Sequence, residues 1–371
     1  MKHHISLVGG QILPLYLGIV ESDSNIIHFV YSKDSAENIE VLKGIFCEKI
    51  IKTYQCDAFN FNTTVNLFER IISNYSTEDE FNFNITGGTK IMALAANKML
   101  TNNKCSAFYF NQDLSFYILP AFDLKINSNI LKVNDYIKLS GNKISNFTDI
   151  VNIENNDFQS AKKIFNFSIS NSKDYSKIQK YINHKFNNYE DIPIDGEIQI
   201  DDELFVSYEK NMLEISTLST NLLEITCSNV ISIFFNAGWW ELVVAEAIKS
   251  WNNKKEVYTN VIFPFKNKNS QSKNEIDILI NTGRKLIFIE CKSGNILSAD
   301  INKMKAVRET YGGRIARSLL VSKFKPKDLI IEKCKDMDID VFYCYENPFK
   351  KVNDISKIRI KLDEIAVKSS V

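Results

Sequence analysis

The sequence has no run approaching the roughly 20 apolar residues that cross a bilayer. The apolar stretch at its start, MKHHISLVGGQILPLYLG, is broken by Gly, Gln and Pro and carries no signal-cleavage pattern. A membrane span and an export signal are therefore not expected, and the reading is of a soluble, cytoplasmic protein. Its seven cysteines form no CxxC and no Cys/His pairing at zinc spacing, which argues against a disulfide framework or structural zinc and for thiols in a reducing compartment. Net charge is absent as well: 45 Lys+Arg balance 45 Asp+Glu, so no global field announces a polyanionic partner. Internal repeats are missing, and so is the GxxxxGK[ST] loop of P-loop proteins.

What is present is enough chain for two or three domains: 371 residues, 44% of them hydrophobic. Charge is unevenly spread, for residues 221–371 hold 25 Lys+Arg against 18 Asp+Glu, leaving 20 and 27 of the 45 of each for residues 1–220. The carboxyl-terminal part is the basic one.

Apolar runs alternate with helical patterns over the first 120 residues, the mark of a parallel sheet with crossover helices. Strands are expected at 5–9, 25–32, 81–86, 106–111 and 114–120, the last pairing with its predecessor through a turn at 111–113. Helices are expected at 12–20, 35–52, 64–75 and 89–102. From 121 to 220 the pattern weakens into polar stretches, read as a connector with some structure of its own. It sharpens again in a helix at 238–251, strands at 257–265, 274–281 and 285–293, a helix over 298–311 ended by Gly312 and Gly313, a strand at 316–322, a helix at 326–337 and a strand at 339–345. The expected fold class is α/β throughout: a Rossmann-like domain over 1–150, a structured connector over 151–220 and a second α/β domain over 221–371.

IFIECKSG, residues 287–294, ends an apolar strand with Glu290 and Lys292 on one face and Cys291 on the other, because side chains alternate along a strand. Taken alone, ExK is equally an ordinary solvated ion pair. Asp277 lies 13 residues upstream at a strand's start and Glu241 on a helix, so adjacent strands can bring the carboxylates to one sheet edge. Hard divalent cations such as Mg²⁺ or Mn²⁺ take such oxygen ligands, with Cys291 offering its backbone carbonyl and not its sulfur. Lys292 beside the ion can orient or deprotonate a water, or neutralise charge on a phosphoryl transition state. Residues 238–322 resemble the PD-(D/E)xK restriction-endonuclease-like nucleases: Asp277 matches the Asp, Glu290-Cys291-Lys292 the ExK, and Glu241 the helical Glu of many members. The resemblance implies metal-dependent hydrolysis of nucleic-acid phosphodiesters.

NITGGTKIM, residues 84–92, leads a strand into a Gly-Gly turn and a helix near Thr89, where free amides and the helix dipole favour anions. Thr86, Gly87, Gly88, Thr89 and Lys90 are the candidate contacts there. GGQILP, residues 9–14, places Gly9, Gly10, Gln11 and Pro14 after the first strand, at the same sheet edge. This pair of loops resembles the CARF domain of CRISPR ancillary proteins, which pairs about a two-fold axis and binds cyclic oligoadenylates. The first loop is less polar than usual, so Gly9 and Gly10 would act through backbone atoms. The domain order resembles the cyclic-oligoadenylate-activated CARF nucleases of type III CRISPR systems. It implies a homodimer, cyclic tetra-adenylate as activator and a nucleic acid substrate. The alternative is a CARF-type transcriptional regulator that binds nucleic acid without cutting it.

Among other features, Trp239 and Trp240 are expected in the core, and His3 and His4 to be inert. KFKPK, residues 323–327, reads equally as phosphate contact or solvated turn, and Arg308 and Arg314 as phosphate contacts.

Overall fold

A computed structural model describes residues 1–111, 113–127, 131–264, 274–313 and 316–368. The chain divides into two compact units, residues 1–143 and 144–368.

The first unit runs β1 (Lys2–Val8), α1 (Leu13–Ser22), β2 (Ile26–Tyr31), α2 (Ala36–Ile45), β3 (Ile50–Gln55), α3 (Phe61–Ser73), β4 (Glu80–Asn84), α4 (Lys90–Met99), β5 (Cys105–Phe110), β6 (Ser115–Leu119), β7 (Asp123–Ile126) and α5 (Val133–Leu139). The strands form one sheet in the order β3-β2-β1-β4-β5-β6-β7. β1 to β5 pair in parallel, and β6 and β7 are added antiparallel. The order reverses between β1 and β4, which creates a topological switch point at their carboxyl ends. Ile5, Leu7, Phe81 and Phe83 of these two strands are buried with Val65, Phe68 and Ile71 of α3 and Met92, Ala95 and Ala96 of α4. His3 and His4 are buried too. His3 lies 3.1 Å from His28 and 3.4 Å from Asp79, and burial lowers the pKa of His4 to about 3.

The second unit runs β8 (Asn146–Asp149), α6 (Asn155–Ser170), α7 (Ser172–Lys185), β9 (Gly196–Gln199), β10 (Leu204–Tyr208), β11 (Met212–Thr217), β12 (Asn221–Thr226), α8 (Gly238–Lys249), β13 (Glu256–Phe263), β14 (Asn274–Asn281), β15 (Leu286–Lys292), α9 (Ser298–Val307), β16 (Arg317–Phe324), α10 (Asp328–Asp336), β17 (Ile339–Asn347), β18 (Lys350–Lys351) and α11 (Ile358–Val367). Its main sheet is ordered β18-β17-β16-β15-β14-β13-β8, with β15, β16 and β17 parallel. β12-β11-β10-β9 form a small antiparallel sheet.

Residues 151–220, expected as a connector, share one core with the main sheet. Phe158, Ile164 and Phe167 of α6, Val206 of β10 and Ile215 of β11 belong to the same buried cluster as Trp239, Val244, Ile289 and Val321. β8, expected inside the first domain, pairs with β13 of the second unit. Trp239 and Trp240 are core residues: the indole of Trp240 donates to the Val321 carbonyl at 3.1 Å, that of Trp239 to the Tyr175 hydroxyl at 3.0 Å. No helix among the described residues is long and apolar enough to cross a membrane.

Candidate active site and ligand crevice

β15 is buried along its length, with Ile287, Ile289 and Cys291 in the cluster that α8 covers. The period of two therefore sends Glu290 and Lys292 to the opposite face. β14 pairs antiparallel with β15 up to Ile278 opposite Ile289. The next residues outward are Asp277 and Glu290, so the spacing seen in the sequence places both carboxylates at one end of the sheet. The Asp277 carboxylate accepts from the Cys291 amide at 2.6 Å, and the Lys292 ammonium lies 2.8 Å from Glu290 Oε1. Glu241 enters from the first turn of α8, whose Trp240, Val244 and Ile248 anchor its buried side.

Electrostatics tie these groups together. Burial, then the charges of Asp277, Glu275 and Glu290, hold the Glu241 carboxyl well above the usual range. Burial and Glu290 push Asp277 up to about 7, against the opposing pull of the Cys291 amide, Lys292 and Lys303. Burial works against the charge of Lys292, but Glu290, Asp300 and Asp277 outweigh it and raise its pKa, so it is an ammonium at neutral pH. Burial also raises the Cys291 thiol well above its ordinary value, leaving the sulfur protonated and inert.

No three His, Cys, Asp or Glu side chains among the described residues converge in a metal-holding arrangement. Glu290 is paired with Lys292, and the Asp277 carboxylate is hydrogen-bonded by a backbone amide. Chemically the donor set still fits a hard divalent cation, which would offset the burial and neighbouring negative charge that raise the Glu241 and Asp277 carboxyls.

Sequence reasoning missed Asp300, on the first turn of α9. One of its oxygens accepts from the Leu297 amide at 2.8 Å and the other lies 3.7 Å from Lys292 Nζ. An acidic residue opening the helix just after ExK was the available signal.

In the first unit the two glycine loops meet at the switch point. A Cβ on Gly9 would stand 2.6 Å from the Gly88 amide nitrogen, and Gly88 has φ +72°, so both positions demand glycine. Gly87 lies against the Leu7 carbonyl, while Gly10 and Gln11 are exposed. Asn84, another residue the sequence reading passed over, links the loops. Its amide donates to the Pro14 carbonyl at 2.9 Å and its Oδ1 accepts from the Thr86 amide at 3.1 Å. The Thr86 hydroxyl accepts from the Phe110 amide at 2.9 Å. Thr89 needs correction as a ligand donor: its hydroxyl donates to the Ala58 carbonyl and accepts from the Met92 amide, so it is committed to capping α4. Lys90, the first residue of α4, is exposed.

KFKPK is neither of the things expected of it as a unit, because β16 continues through Phe324. Lys323 is 3% exposed, donates to the Ser168 carbonyl and hydroxyl at 3.1 and 2.9 Å, and sits over the rings of Tyr175, Trp239 and Phe324. Burial lowers its pKa to about 7. The unfolded chain then binds more protons than the fold between about pH 7 and the ordinary lysine value of 10.5, so this residue favours folding increasingly as pH rises through that window. Lys323→Met is expected to raise the melting temperature more at pH 6 than at pH 10, as thermal denaturation at both pH values would show. Arg308 is buried and donates to the Asp338 and Met337 carbonyls at 2.6 and 3.2 Å, which removes it as a phosphate contact; Arg314 lies outside the described residues.

Known proteins match both units. The family model for the Card1 CARF domain matches residues 3–136, and that for the Card1-like endonuclease domain residues 229–357. A search of the curated proteins finds no match. Among solved structures, Can2 from Sulfobacillus thermosulfidooxidans in complex with cyclic tetra-adenylate is similar at 18% identity and TM-score 0.71, over 99% of this chain and 100% of that one. Protein VC1899 from Vibrio cholerae is similar at 14% identity and TM-score 0.73, over 98% of this chain and 97% of that one. A type III CRISPR defence DNA nuclease activated by cyclic oligoadenylate is similar at 12% identity and TM-score 0.54, covering 88% of this chain but 45% of that one. With a CARF domain in its first unit and a Card1-like endonuclease domain in its second, the chain belongs to the CARF nucleases.

Proposed function

We propose that the chain is a divalent-metal-dependent endonuclease of type III CRISPR antiviral defence, switched on by cyclic tetra-adenylate and cutting RNA and/or DNA phosphodiesters as a homodimer. The observation that carries this reading is the placing of Glu241, Asp277, Glu290 and Lys292 within electrostatic reach of one another at one end of the endonuclease sheet, where burial and neighbouring negative charge raise the Glu241 and Asp277 carboxyls. A protein that only bound nucleic acid would have no use for carboxylates crowded where phosphate must come.

Glu241, Asp277, Glu290 and the Cys291 backbone carbonyl are the groups that would hold Mg²⁺ or Mn²⁺. Such an ion, when bound, supplies Lewis acidity and a water acidic enough to attack phosphorus near neutral pH. Lys292 contributes as an ammonium, since its raised pKa makes it a poor base; it donates to a phosphate oxygen as negative charge accumulates there. Asp277 keeps its carboxylate fixed through the Cys291 amide, which also orients the strand end that carries Glu290.

On the sensor side, the exposed backbone of Gly10, the loop Thr86–Gly88, the amino end of α4 and Lys90 would meet the ring phosphates. A symmetric ring suits a two-fold pair of such crevices, each subunit offering the same loops to opposite halves. The similarity to Can2 with its bound cyclic tetra-adenylate supports that choice of ring. Turning a resting population of 1:99 into 99:1 requires about 5.5 kcal/mol of differential affinity for the active form.

The deciding experiment incubates the protein with Mn²⁺ and RNA, single-stranded DNA or supercoiled duplex, with and without cyclic tetra-adenylate. Cutting should need both metal and ring. Lys90→Ala is expected to weaken ring binding about 10-fold or more, the worth of a charge-assisted phosphate contact. Calorimetry giving unaltered affinity would move the phosphate site elsewhere. Thr89→Ala is a poorer probe, since losing the cap costs about 1 kcal/mol of stability whatever the ligand does.

A further inference from the structure

Phe349 is 95% exposed at the turn between β17 and β18. A bare aromatic ring at a hairpin tip is unfavourable in water unless something covers it, and here the tip is held rigidly. Asn347 Oδ1 accepts from the Phe349 amide at 3.0 Å, Pro348 stiffens the turn, and the Val352 and Asn353 amides both donate to the Cys344 carbonyl at 2.8 and 3.0 Å.

The place of the tip says what it can meet. β15, β16 and β17 are parallel, so the hairpin follows β17 off the same sheet end at which β15 presents Glu290 and Lys292. Lys292 is level with Ser322, and Ser322 with Tyr343. Two strand spacings sideways, about 10 Å, and four further residues of β17, about 13 Å, put Asn347 roughly 16 Å from Lys292, and Phe349 lies just beyond it in the turn, at about 20 Å. That distance is on the order of six stacked nucleotides at about 3.4 Å each. The tip is flanked by basic groups: among the described residues Lys350 pairs with the exposed Glu346 at 2.5 Å and Lys351 with the half-exposed Asp354 at 2.7 Å, and Lys327 is exposed where the chain leaving β16 enters α10. Ion pairs this open exchange readily for phosphate.

We infer that the β17–β18 hairpin is a substrate-contacting finger, in which Phe349 stacks on a base of the nucleic acid while Lys350 and Lys351 take its backbone phosphates. The finger grips substrate a few nucleotides from the point of cutting and takes no part in the chemistry. This rests on the nuclease reading above. Stacking on an aromatic ring tolerates any base, so the contact sets affinity and register without setting sequence.

The test is steady-state cutting of labelled RNA and DNA oligonucleotides by the full chain with cyclic tetra-adenylate and Mn²⁺. Phe349→Ala should raise KM about 10-fold, leaving kcat within about twofold and the melting temperature unchanged. Phe349→Trp and Phe349→Tyr should restore KM, whereas Phe349→Leu, apolar but without a stacking face, should not. Lys350→Ala with Lys351→Ala should raise KM and flatten its dependence on salt. A wild-type KM in Phe349→Ala, or Phe349→Leu performing as well as Phe349→Trp, overturns the finger. So does a Phe349→Ala variant that changes oligomeric state at unaltered KM, for the ring then covers a second copy of the chain. A wild-type protein that cuts neither nucleic acid defeats the nuclease reading itself, a result separable from all of these.

Discussion

Glu290→Ala and Asp277→Ala are each expected to reduce cutting by about 1,000-fold or more, with binding of cyclic tetra-adenylate unchanged. Removing a carboxylate that holds a catalytic cation forfeits several kcal/mol of transition-state stabilisation, and each 1.36 kcal/mol is tenfold in rate. Ring binding survives because the glycine loops belong to the other unit. EDTA should silence the wild-type protein equally, and activity that withstands chelation would refute the metal. Thermal denaturation adds a readout independent of turnover. Asp277 has its pKa raised from 3.8 to about 7, so the fold binds more protons than the unfolded chain in that window, and metal-free stability falls as pH climbs through it. At pH 8 the wild type bears the full penalty, so Asp277→Asn should melt higher than wild type without metal, and Mn²⁺ should stabilise the wild type but not the variant.

The proposed active edge is legible in the sequence as a juxtaposition because its signals are local and periodic. β14 was read with its observed bounds, and Glu290 with Lys292 follows from a period of two on a strand whose alternate residues are Ile287, Ile289 and Cys291. Glycine loops after β1 and β4 were legible for a similar reason, since a parallel sheet sends both to one edge. β3 was not. It was read as part of a helix over 35–52, because an edge strand with Lys52, Thr53 and Gln55 exposes most of its side chains and lacks the buried run that marks a central strand. The stretch 151–220 hid its core among polar residues, although Ala161, Ile164 and Phe167 recur at helical spacing and Leu204, Val206 and Tyr208 alternate as a strand should. α11 carries Ile358, Leu362 and Ile365 on one face and went unread. Lys323 and Arg308 show the opposite error: a charge in a sequence says nothing about the neighbouring elements that bury it.

The burial of Lys323 sharpens the question of what Lys292 does, because both are lysines of one sheet and their environments drive them in opposite directions. Lys323 has no carboxylate partner among the described residues and is pulled towards neutrality; Lys292 has Glu290 at 2.8 Å and Asp300 at 3.7 Å and is held charged. Of the two roles open to a lysine in the proposed active site, proton acceptor or charge stabiliser, the surroundings of Lys292 favour the second. Asp300 strengthens that choice, since it would remain a partner for the ammonium if a cation took Glu290.

Lys292→Ala is accordingly expected to lower turnover by about 100-fold or more, the range for loss of a positioned charge-stabilising group. Because Glu290 is buried and loses its partner, metal-free stability should fall by about 3 kcal/mol, while Asp277 and Glu290 should still bind Mn²⁺. Lys292→Arg keeps the charge but replaces a compact ammonium with three rotatable donors by a broad planar fork, so it should recover little of the rate. Single-turnover cutting at saturating Mn²⁺ and activator separates this loss from any change in binding. Wild-type turnover in Lys292→Ala would reduce the Glu290–Lys292 pair to a structural ion pair at a strand end. A loss of rate that vanished at high pH would instead restore the proton-accepting role, because a base is rescued by hydroxide and a missing positive charge is not.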